Sequence, residues 1–547
     1  MVEQCGERDS MKVYEQVSSL LRASGVDTVF GLMGDANMYV SSAFENQGGQ
    51  FVRVAHEAGA VAMADVHARM SGRPAVATVT HGPGFTNTLT ALVEAARFPS
   101  PVLLVTGDPP AEATHLQRLD IGAVCSALGV VHERIHRPDT VVRDFGRVMR
   151  RLSTSAAPVV LNIPLPVSVS EAVSAGQPLK PVWLPAGTTV PESALDGALG
   201  LVASATRPIV VAGRGVVAAS AESAVAELAD LLGAPLFTTA LGRGLFRGHP
   251  RHLGILGTLA HECASEVLMD SDCVLAVGAS MNKYTTMGGE LVQGKRLVQI
   301  DLDPAKLGWL VQPDEGVAGD AAAVAAAMTA ELRAAGVSGS GSWRDRGAAA
   351  ASAMAEWTPQ DRRPADGTID IRTASLLLNR ALPADCAIVS DVGRFVAGAW
   401  PYLDRCAPGR FTAMTGFGSI GLGLAGAIGA AVSGVSGLTV ALVGDGGFMM
   451  HASELATAVR HRLPLLVLVF DDGAYGAEYH KLETQGFDPR HSYNDWPDVA
   501  AIAAGAGADT HVVETPEDID VLAKRVPGLE RPLVVDIRLD PTHHIPF

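Results

Sequence analysis

The sequence predicts an α/β protein that contains three parallel sheets, each covered by helices. Short runs of apolar residues alternate with helix-length segments along nearly the whole chain. Parallel strands are buried on both faces, and they therefore occur in a sequence as continuous apolar runs rather than as alternating ones. The predicted strands are residues 28–31, 75–80, 102–106, 159–163, 209–212, 274–277, 296–300, 387–390, 438–443, 465–470 and 533–537.

Two stretches rich in proline, glycine or serine interrupt this alternation. Residues 174–192 and 336–367 have the composition of linkers, and the second contains an alanine-rich helix. They divide the chain into three units of similar size, at residues 10–175, 190–335 and 365–547. A chain of 547 residues is long enough for three domains, since a domain takes roughly 100–200 residues.

The composition excludes two kinds of partner. The chain carries 42 basic and 58 acidic side chains, for a formal net charge of −16. Nucleic acids and anionic membranes attract basic surfaces, so we expect neither as a partner. The six cysteines are scattered without a Cys-x-x-Cys pair, and the first residues lack the pattern of a secretory signal. Both observations favour a cytoplasmic protein with reduced thiols.

One segment, between Arg410 and Asp445, contains no charged residue. It is long enough for a membrane helix, but its many glycines would make a poor lipid-facing surface. We therefore predict a buried helix followed by a buried parallel strand. Gly421, Gly423 and Gly426 also match a dinucleotide fingerprint, which requires a strand directly before the first glycine. Residues 412–419 do not read as such a strand, so NAD is not predicted.

Two acidic turns follow neighbouring predicted strands in the third unit. The sequence GDGG at residues 444–447 follows the strand at 438–443, and DDG at residues 471–473 follows the strand at 465–470. A helix at residues 453–462 joins them, which places both turns at the same edge of the sheet. Asp445 and Asp472 could then bind one Mg²⁺, whose other ligands would be phosphate oxygens. Two ordinary turns are the alternative, since both sequences form turns readily.

These turns resemble the cofactor motif of the thiamine diphosphate enzymes related to pyruvate decarboxylase and acetohydroxyacid synthase, and the resemblance extends over almost the whole chain. It implies that Asp445, Asp472 and the carbonyl oxygen of Ala474 hold Mg²⁺ against the diphosphate. Family members have two asparagines where this chain has Asp471 and Asp472, so the chain adds negative charge there. The remaining cofactor contacts that the resemblance implies around this edge are Gly393, Gly444, Gly446, Gly447, Tyr475 and Gly476.

The resemblance continues at HEAGA, residues 56–60, which is predicted to open a helix after a strand at 51–55. In the family, the glutamate in this context hydrogen-bonds N1′ of the aminopyrimidine and promotes loss of the C2 proton, which makes Glu57 the main catalytic candidate. An exposed partner of the helix dipole is the alternative. Ile420 resembles the apolar residue that bends the cofactor, and the carbonyl of Gly418 the acceptor for its 4′-amino group. A plain core residue is the alternative for Ile420.

The candidate substrate-side residues resemble two branches of the family. Asp35, in GDAN at residues 34–37, matches a decarboxylase aspartate that handles protons, although an N-cap is equally possible. His81 opens a GPGxTN-like synthase loop in place of serine. His115 stands where decarboxylases have histidines, and Gln117 where synthases have glutamine; a polar surface loop is the alternative for both. Glu478 matches a decarboxylase glutamate that would act as a proton donor.

The resemblance also has implications for the central unit and the assembly. Residues 278–284 lack the arginines with which synthases hold FAD, so FAD is doubtful and a nucleotide or no ligand remain alternatives. The family places the cofactor between the first unit of one subunit and the third unit of another, which implies a homodimer or homotetramer. The last residues, 543–547, are expected either to cover the site or to be disordered.

The function that the resemblance implies is cleavage or formation of a C–C bond next to the carbonyl of a small 2-oxo acid. Asp35, His115 and Glu478 favour a lyase that decarboxylates the acid to an aldehyde, which is the outcome we expect. Gln117 and the GPGxTN-like loop favour a carboligating transferase similar to acetolactate synthase, with a second carbonyl compound as acceptor. A catalytically silent nucleotide-binding homologue is the remaining alternative, and the presence of Glu57 argues against it.

Overall fold

The computed structural model describes residues 11–112, 114–155, 157–173, 191–359 and 365–543. They contain three sheets of six parallel strands each, with helices packed on the sheets, so the α/β prediction is confirmed. Most of the predicted first linker, residues 174–190, and the end of the tail, residues 544–547, lie outside the described residues. The exact limits of the three units stay predictions.

The first sheet carries the residues around Glu57. Its strands are β1 (Thr28–Gly31), β2 (Gln50–Arg53), β3 (Ala75–Thr78), β4 (Val102–Thr106), β5 (Val131–Arg134) and β6 (Val159–Asn162), in the order β2-β1-β3-β4-β6-β5. Its helices are α1 (Val13–Ala23), α2 (Met38–Asn46), α3 (Glu57–Ser71), α4 (Pro83–Thr86), α5 (Leu89–Arg97), α6 (Ile121–Leu128), α7 (Val141–Ser155) and α8 (Leu165–Ser168).

The second sheet forms the central unit. Its strands are β7 (Pro208–Ala212), β8 (Leu236–Thr238), β9 (His252–Ile255), β10 (Cys273–Val277), β11 (Arg296–Asp301) and β12 (Glu315–Ala318), in the order β12-β11-β10-β7-β8-β9. Its helices are α9 (Asp196–Ala203), α10 (Arg214–Ala218), α11 (Glu222–Leu231), α12 (Glu262–Asp270), α13 (Ala321–Ala334) and α14 (Gly341–Glu356).

The alanine-rich helix expected within residues 336–367 is α14, and it packs on the central sheet. Its Trp343 is buried in the core on one face of the central sheet, and the indole N–H donates a hydrogen bond of 2.8 Å to the carbonyl of Pro208. A large aromatic side chain buried with its polar atom satisfied contributes strongly to packing. The helix therefore acts as an element of the central unit.

The third sheet carries both acidic turns. Its strands are β13 (Cys386–Ser390), β14 (Cys406–Ala413), β15 (Thr439–Gly444), β16 (Leu465–Asp471), β17 (Asp509–Val513) and β18 (Leu533–Arg538), in the order β14-β13-β15-β16-β18-β17. Its helices are α15 (Ile371–Ala381), α16 (Phe395–Ala399), α17 (Leu422–Ser433), α18 (Asp445–His451), α19 (Leu455–Arg460), α20 (Gly476–Thr484), α21 (Val499–Gly505) and α22 (Pro516–Ala523).

The uncharged segment folds as a helix and a strand of this sheet, α17 and β15, as predicted. Across the described ranges, no helix combines the length and the apolar character needed to cross a membrane. Strand β14 ends at Ala413, well before Gly421, so the fingerprint-like glycines lack the strand that dinucleotide binding requires.

Helices α3 and α17 join the first and third units through very close packing. A Cβ added to Gly429 of α17 would overlap the backbone of Met63 in α3, and one added to Gly426 would lie 2.8 Å from the side chain of Val66. The small residues of the uncharged segment thus let two helix backbones approach each other. The same hydrophobic core contains buried residues from both units, so the two sheets are held in one fixed relation.

Candidate functional site

The two acidic turns lie at the same edge of the third sheet, as predicted. Strands β15 and β16 are paired in parallel, with Gly444 opposite Phe470, so that Asp445 and Asp472 follow directly at the carboxyl ends of neighbouring strands. The GDGG sequence is not an open loop, because α18 begins at Asp445 with Gly444 as its N-cap. The helix predicted at 453–462 is likewise only the last part of this connection, in which a 3₁₀ turn at Ala452–Glu454 separates α18 from α19.

The glycines of this junction leave no room for side chains. A Cβ added to Gly446 would lie 2.7 Å from the ring of Tyr475, and one added to Gly447 would lie 2.5 Å from a carboxylate oxygen of Asp391. Glycine permits such close approach of a backbone to its neighbours or to a ligand. The junction therefore presents the first backbone N–H groups of α18. Such groups at the N-terminus of a helix attract anions.

Asp445 is buried and Asp472 largely buried, and both carboxyl groups have a raised pKa. The pKa of Asp445 is raised to about 8, first by burial and then by the nearby charges of Asp472 and Asp471. Burial also raises the pKa of Asp472 to about 6, against the opposing effect of Arg394. Oδ2 of Asp445 is buried and has no hydrogen-bond partner among the described residues. Such a pair is stabilised by a nearby cation.

A metal ion at Asp445 and Asp472 would need further ligands from outside these two side chains. No group of three or more His, Cys, Asp or Glu side chains within the described ranges is arranged to hold a metal ion. Mg²⁺ commonly takes only one or two carboxylates and completes its octahedron with phosphate oxygens and water. Ala474 is buried beside these carboxylates and donates its N–H to Oδ1 of Asp472 at 3.2 Å.

The other predicted cofactor contacts surround the same edge. Gly393 lies in the connection between β13 and α16, Tyr475 donates its N–H to the carbonyl of Ser492 at 2.8 Å, and Gly476 is the first residue of α20. The roles of all these residues toward a cofactor stay predictions.

The segment that contains Gly418 and Ile420 lies between β14 and α17 and is held by two buried carboxylates. Glu94, from the first unit, accepts hydrogen bonds of 3.0 and 2.7 Å from the N–H groups of Gly416 and Phe417. Asp391 accepts one of 2.7 Å from the N–H of Gly421. Ile420 is half-buried and lies outside the buried core, so its side chain can contact a ligand, and the interpretation as a plain core residue is wrong.

Glu57 is the first residue of α3, as predicted, and its side chain is buried. The alternative of an exposed partner of the helix dipole is therefore wrong. Oε2 of Glu57 accepts a hydrogen bond of 3.0 Å from the side-chain amide of Asn87, the last residue of the GPGxTN-like motif. Oε1 faces Gly84 of the same motif, where an added Cβ would lie 3.5 Å away. The motif folds as the single helical turn α4 and orients the glutamate.

The start of α3 is also fixed from the third unit. Glu454, fully buried in the 3₁₀ turn after α18, accepts hydrogen bonds from the N–H groups of Ala55 and His56. Burial raises the pKa of Glu454, and these hydrogen bonds oppose the rise. The residues that follow the acidic turn thus determine where Glu57 is placed.

The predicted substrate-side residues of the first unit lie close together at the carboxyl edge of its sheet. His81 is buried, with its ring centroid 5.9 Å from that of half-buried His115. A Cβ on Gly82, whose φ is +60°, would lie 2.8 Å from Gln117. Burial lowers the pKa of His81, and the nearby side chain of Gln117 and the charge of Asp35 oppose this. His115 and Gln117 thus approach buried His81 and Gly82 from a largely exposed loop, and their role stays a prediction.

Asp35 is exposed beside this cluster and does not cap a helix. The N-cap of α2 is Asn37, whose Oδ1 accepts a hydrogen bond of 2.8 Å from the N–H of Gly34, so the capping alternative for Asp35 is wrong. Glu478 is exposed on the first turn of α20 in the third unit. His543 is buried and lies 3.4 Å from Asp370, so the described start of the tail packs on the third unit.

Asn87 belongs to the GPGxTN-like motif, but its contact with Glu57 was not predicted. Four further residues that position this machinery were not predicted at all: Glu94, Asp391, Arg394 and Glu454. Arg394 directly follows Gly393 and could have been found by extending that motif. The other three are acidic residues within otherwise apolar helices or at a strand end, which is a signal of a buried charge with a partner. Their partners, however, lie far away in the sequence, and only the fold identifies them.

Family models match the chain in the order of its three sheets. They are the N-terminal TPP binding domain, the central domain and the C-terminal TPP binding domain of the thiamine pyrophosphate enzymes, at residues 11–124, 195–328 and 391–537. The chain therefore belongs to the thiamine pyrophosphate (thiamine diphosphate) enzymes, which confirms the family that the motifs indicated. Two of the three matched domains are domains that bind this cofactor.

Curated relatives resemble the chain over most of their length. A sulfoacetaldehyde acetyltransferase of Alcaligenes xylosoxydans xylosoxydans is 30% identical, covering 91% of this chain and 87% of the relative. A probable 2-ketoarginine decarboxylase of Pseudomonas aeruginosa is 30% identical, with 92% and 89% covered. A probable acetolactate synthase large subunit of Methanocaldococcus jannaschii is 26% identical, with 98% and 93% covered. The relatives are enzymes, but their names differ in the reaction.

Proposed function

We propose that the protein is a thiamine diphosphate- and Mg²⁺-dependent enzyme that decarboxylates a small 2-oxo acid without oxidation. The bond between the carboxyl carbon and the carbonyl carbon breaks, CO₂ leaves, and the carbonyl carbon takes up one proton to give an aldehyde. The observation that carries this proposal is the cluster of Asp35, His81, His115 and Gln117 at the carboxyl edge of the first sheet. Groups that can exchange a proton are needed where the aldehyde forms.

The third unit supplies the groups that would hold the cofactor's charged end. Asp445, Asp472 and the carbonyl of Ala474 are the proposed Mg²⁺ ligands, and the N-terminus of α18 is the proposed partner of the diphosphate. The raised pKa of Asp445 and its unpartnered Oδ2 support a cation at this place. Thiamine diphosphate, when bound, provides the carbon that adds to the substrate carbonyl and stores the electron pair left by CO₂.

The first unit supplies the groups that would exchange protons. Glu57 is the proposed partner of the aminopyrimidine, and Asn87 holds its carboxylate in place. Since burial lowers the pKa of His81, its ring is neutral near pH 7 and can accept a hydrogen bond or donate one. Two exposed acids, Asp35 of the first unit and Glu478 of the third unit, would carry a proton between solvent and the substrate carbon.

A carboligating transferase is the second candidate, and one observation favours it. Gln117 contacts the GPGxTN-like loop at Gly82, and synthases of the family combine a glutamine with this loop. The curated relatives also include a synthase and an acetyltransferase. In that reaction the carbonyl carbon would join a second carbonyl compound instead of taking up a proton.

We also propose a homodimer or a larger homo-oligomer as the active form. Apolar side chains are exposed beside both halves of the proposed site, where Leu116 is fully exposed and Phe417 and Met450 are about half exposed. Apolar groups clustered on a surface mark places where another subunit can bind. A cofactor shared between the first unit of one subunit and the third unit of another would lie against these residues.

The test has two stages. Calorimetric titration with thiamine diphosphate, with Mg²⁺ and then with EDTA instead, should show saturable binding that requires the metal, and failure to bind would refute the proposal. The loaded protein is then incubated with linear, branched, aromatic and guanidino 2-oxo acids, with and without an acceptor aldehyde. An aldehyde and CO₂ as main products support decarboxylation, and an acyloin as the main product would establish carboligation in its place.

A further inference from the structure

The acidic turn at residues 471–472 carries more negative charge than the motif that it resembles. The structure places a basic side chain, Arg394, beside it. Three acidic residues, Asp445, Asp471 and Asp472, lie at the carboxyl ends of the paired strands β15 and β16, at one edge of the third sheet. Concentrated negative charge opposes the binding of a diphosphate. A site of this kind therefore needs positive charge in addition to a metal ion.

Asp471 and Asp472 have different basic neighbours. Asp471 interacts with Asp536, which in turn lies 3.5 Å from Arg538. Nη1 of Arg394 lies 3.6 Å from Oδ2 of Asp472, and both side chains are largely buried, at 13% and 11% exposure. A buried ion pair of this kind loses much of its stability when one partner is removed, because the other charge is left without compensation.

Arg394 is held in this place by the structure around it. It directly follows Gly393 and precedes α16, and its Cδ would lie 3.0 Å from a Cβ added to Gly476. A Cβ on Gly476 would also lie 2.5 Å from Oδ2 of Asp472. The arginine thus packs at the N-terminus of α20, where the helix dipole alone would disfavour a cation. The carboxylate of Asp472 explains why a cation is stable there.

We propose that Arg394 is a positioning residue of the metal and diphosphate site, which neutralises and orients Asp472. This inference rests on the proposed function. Arg394 lies 3.6 Å from Oδ2 and the N–H of Ala474 is bonded to Oδ1, so both groups orient the carboxylate and the arginine offsets its charge. Among the described residues no basic side chain pairs with Asp445, and a divalent metal would leave the site with net positive charge for the diphosphate.

A double-mutant cycle tests this coupling by binding constants alone. The dissociation constants of Mg²⁺ and of thiamine diphosphate are measured for the wild type, Arg394→Gln, Asp472→Asn and the double variant. We expect Arg394→Gln to weaken binding of the diphosphate about tenfold or more, in line with the loss of a buried charge partner. Asp472→Asn should weaken Mg²⁺ binding, because it leaves Arg394 unpaired beside the metal. The double variant should bind both ligands more tightly than either single variant.

Two further variants keep the result interpretable. Arg394→Lys retains the charge and should restore most of the affinity if Arg394→Gln fails to fold. Arg525→Gln, on the exposed surface of the third unit, should leave both constants unchanged. Additive effects of the two single variants, or an unchanged constant in Arg394→Gln, would overturn the coupling while leaving the proposed function intact. A wild type that binds no thiamine diphosphate would refute the proposed function, and this inference with it.

Discussion

The carboxylate of Glu454 accepts a hydrogen bond of 3.0 Å from the backbone N–H of His56, the residue before Glu57. It also accepts hydrogen bonds of 3.1 Å from Ala55 and 2.9 Å from the hydroxyl of Thr457. Glu454 ends the 3₁₀ turn that follows α18, and α18 begins at Asp445. One continuous segment therefore begins with Asp445, a proposed metal ligand, and ends with Glu454. Glu454 in turn holds the start of the helix that carries Glu57, the proposed catalytic glutamate.

Replacement of Glu454 should destabilise the protein. Glu454→Ala removes the acceptor of two partly buried N–H groups, which costs up to about 1–3 kcal/mol in the free energy of unfolding for each group left unsatisfied. Glu454→Gln keeps one acceptor oxygen and should lose less. Urea denaturation measures both, with Glu331→Ala on the exposed face of α13 as the control. Equal free energies of unfolding for Glu454→Ala and the wild type would contradict a stabilising role of these hydrogen bonds.

Two helical glycines should respond in opposite ways to alanine. A Cβ on Gly59 in α3 would overlap the carboxylate of Glu454, whereas a Cβ on Gly200 in α9 would meet open space. Gly59→Ala should lower the free energy of unfolding by about 1–3 kcal/mol through overpacking. Gly200→Ala should raise it by about 0.5–1 kcal/mol, since alanine favours a helix. Thermal unfolding of the two variants gives the comparison, and a stabilised Gly59→Ala protein would disprove the contact.

The buried charges of Arg69, Asp65 and Glu94 should depend on one another. Arg69 lies 2.5 Å from Asp65 and 3.2 Å from Glu94, and Glu94 holds the segment that precedes α17. Arg69→Met leaves two buried carboxylates without a cationic partner, which should cost about 3–5 kcal/mol in the free energy of unfolding.

The matched control for Arg69 is an exposed pair. Arg333→Met breaks the ion pair with Glu227, whose side chains are 59% and 57% exposed, and should cost less than about 1 kcal/mol. Similar losses for the two arginine variants in urea denaturation would show that burial of the charges is unimportant.

His261 should make stability depend on acid pH. Burial lowers the pKa of His261 to about 4, and Nδ1 of its ring accepts a hydrogen bond from the N–H of Cys263 at the start of α12. The folded protein therefore keeps the ring neutral where the unfolded chain takes up a proton. The stabilisation is complete above the ordinary value near 6.5 and is lost as the pH falls from there toward 4.

The variant His261→Asn isolates this group, because asparagine can still accept the capping hydrogen bond but does not titrate. As the pH falls between these limits, the wild type should lose stability relative to the variant. The loss in its free energy of unfolding should be at most about 1.4 kcal/mol per pH unit. Urea denaturation at several pH values measures it. A difference that stays constant from neutral to acid pH would rule out this titration.

Glu57→Gln should separate binding from turnover. The amide retains the size of the side chain and its contact region with Asn87, so affinity for thiamine diphosphate should change only a few-fold. Turnover should fall by about 10²–10⁴, the usual contribution of a general acid–base group. Calorimetry and product assays measure the two effects, with Glu45→Gln on exposed α2 as control. Unchanged turnover would refute the role of Glu57 even if the cofactor binds.

The strands that the sequence predicted are largely the central ones. The strands it missed are β5, β8, β9, β12, β14 and β17. Apart from the three-residue β8, each of these lies at the edge of its sheet. Central strands such as β4 and β10 are buried at every position, whereas β12 has one buried residue. An edge strand contacts the core on fewer sides, so its sequence lacks the continuous apolar run by which a buried strand is found.

The residues of the candidate site also fall into those that a local motif predicted and those that it did not. Asp445, Asp472, Glu57 and the cluster around His81 were found because each lies in a short motif at the end of a strand, where the local sequence contains all the information. Glu94 and Glu454 were missed, because their hydrogen-bond partners lie in a different unit of the chain. No local pattern relates a buried acid to a backbone N–H group several hundred residues away.

The sequence alone determined the α/β class, the family and the residues that carry the proposed chemistry, since strand burial and cofactor motifs are both properties of consecutive residues. Only the tertiary structure decided how Glu57 is held by Asn87 and Glu454, and that Asp472 is paired with Arg394. The physical reason is that the orientation of a buried charge depends on all the groups packed around it. Glu454 reaches the start of α3 only because the first and third units pack together through α3 and α17.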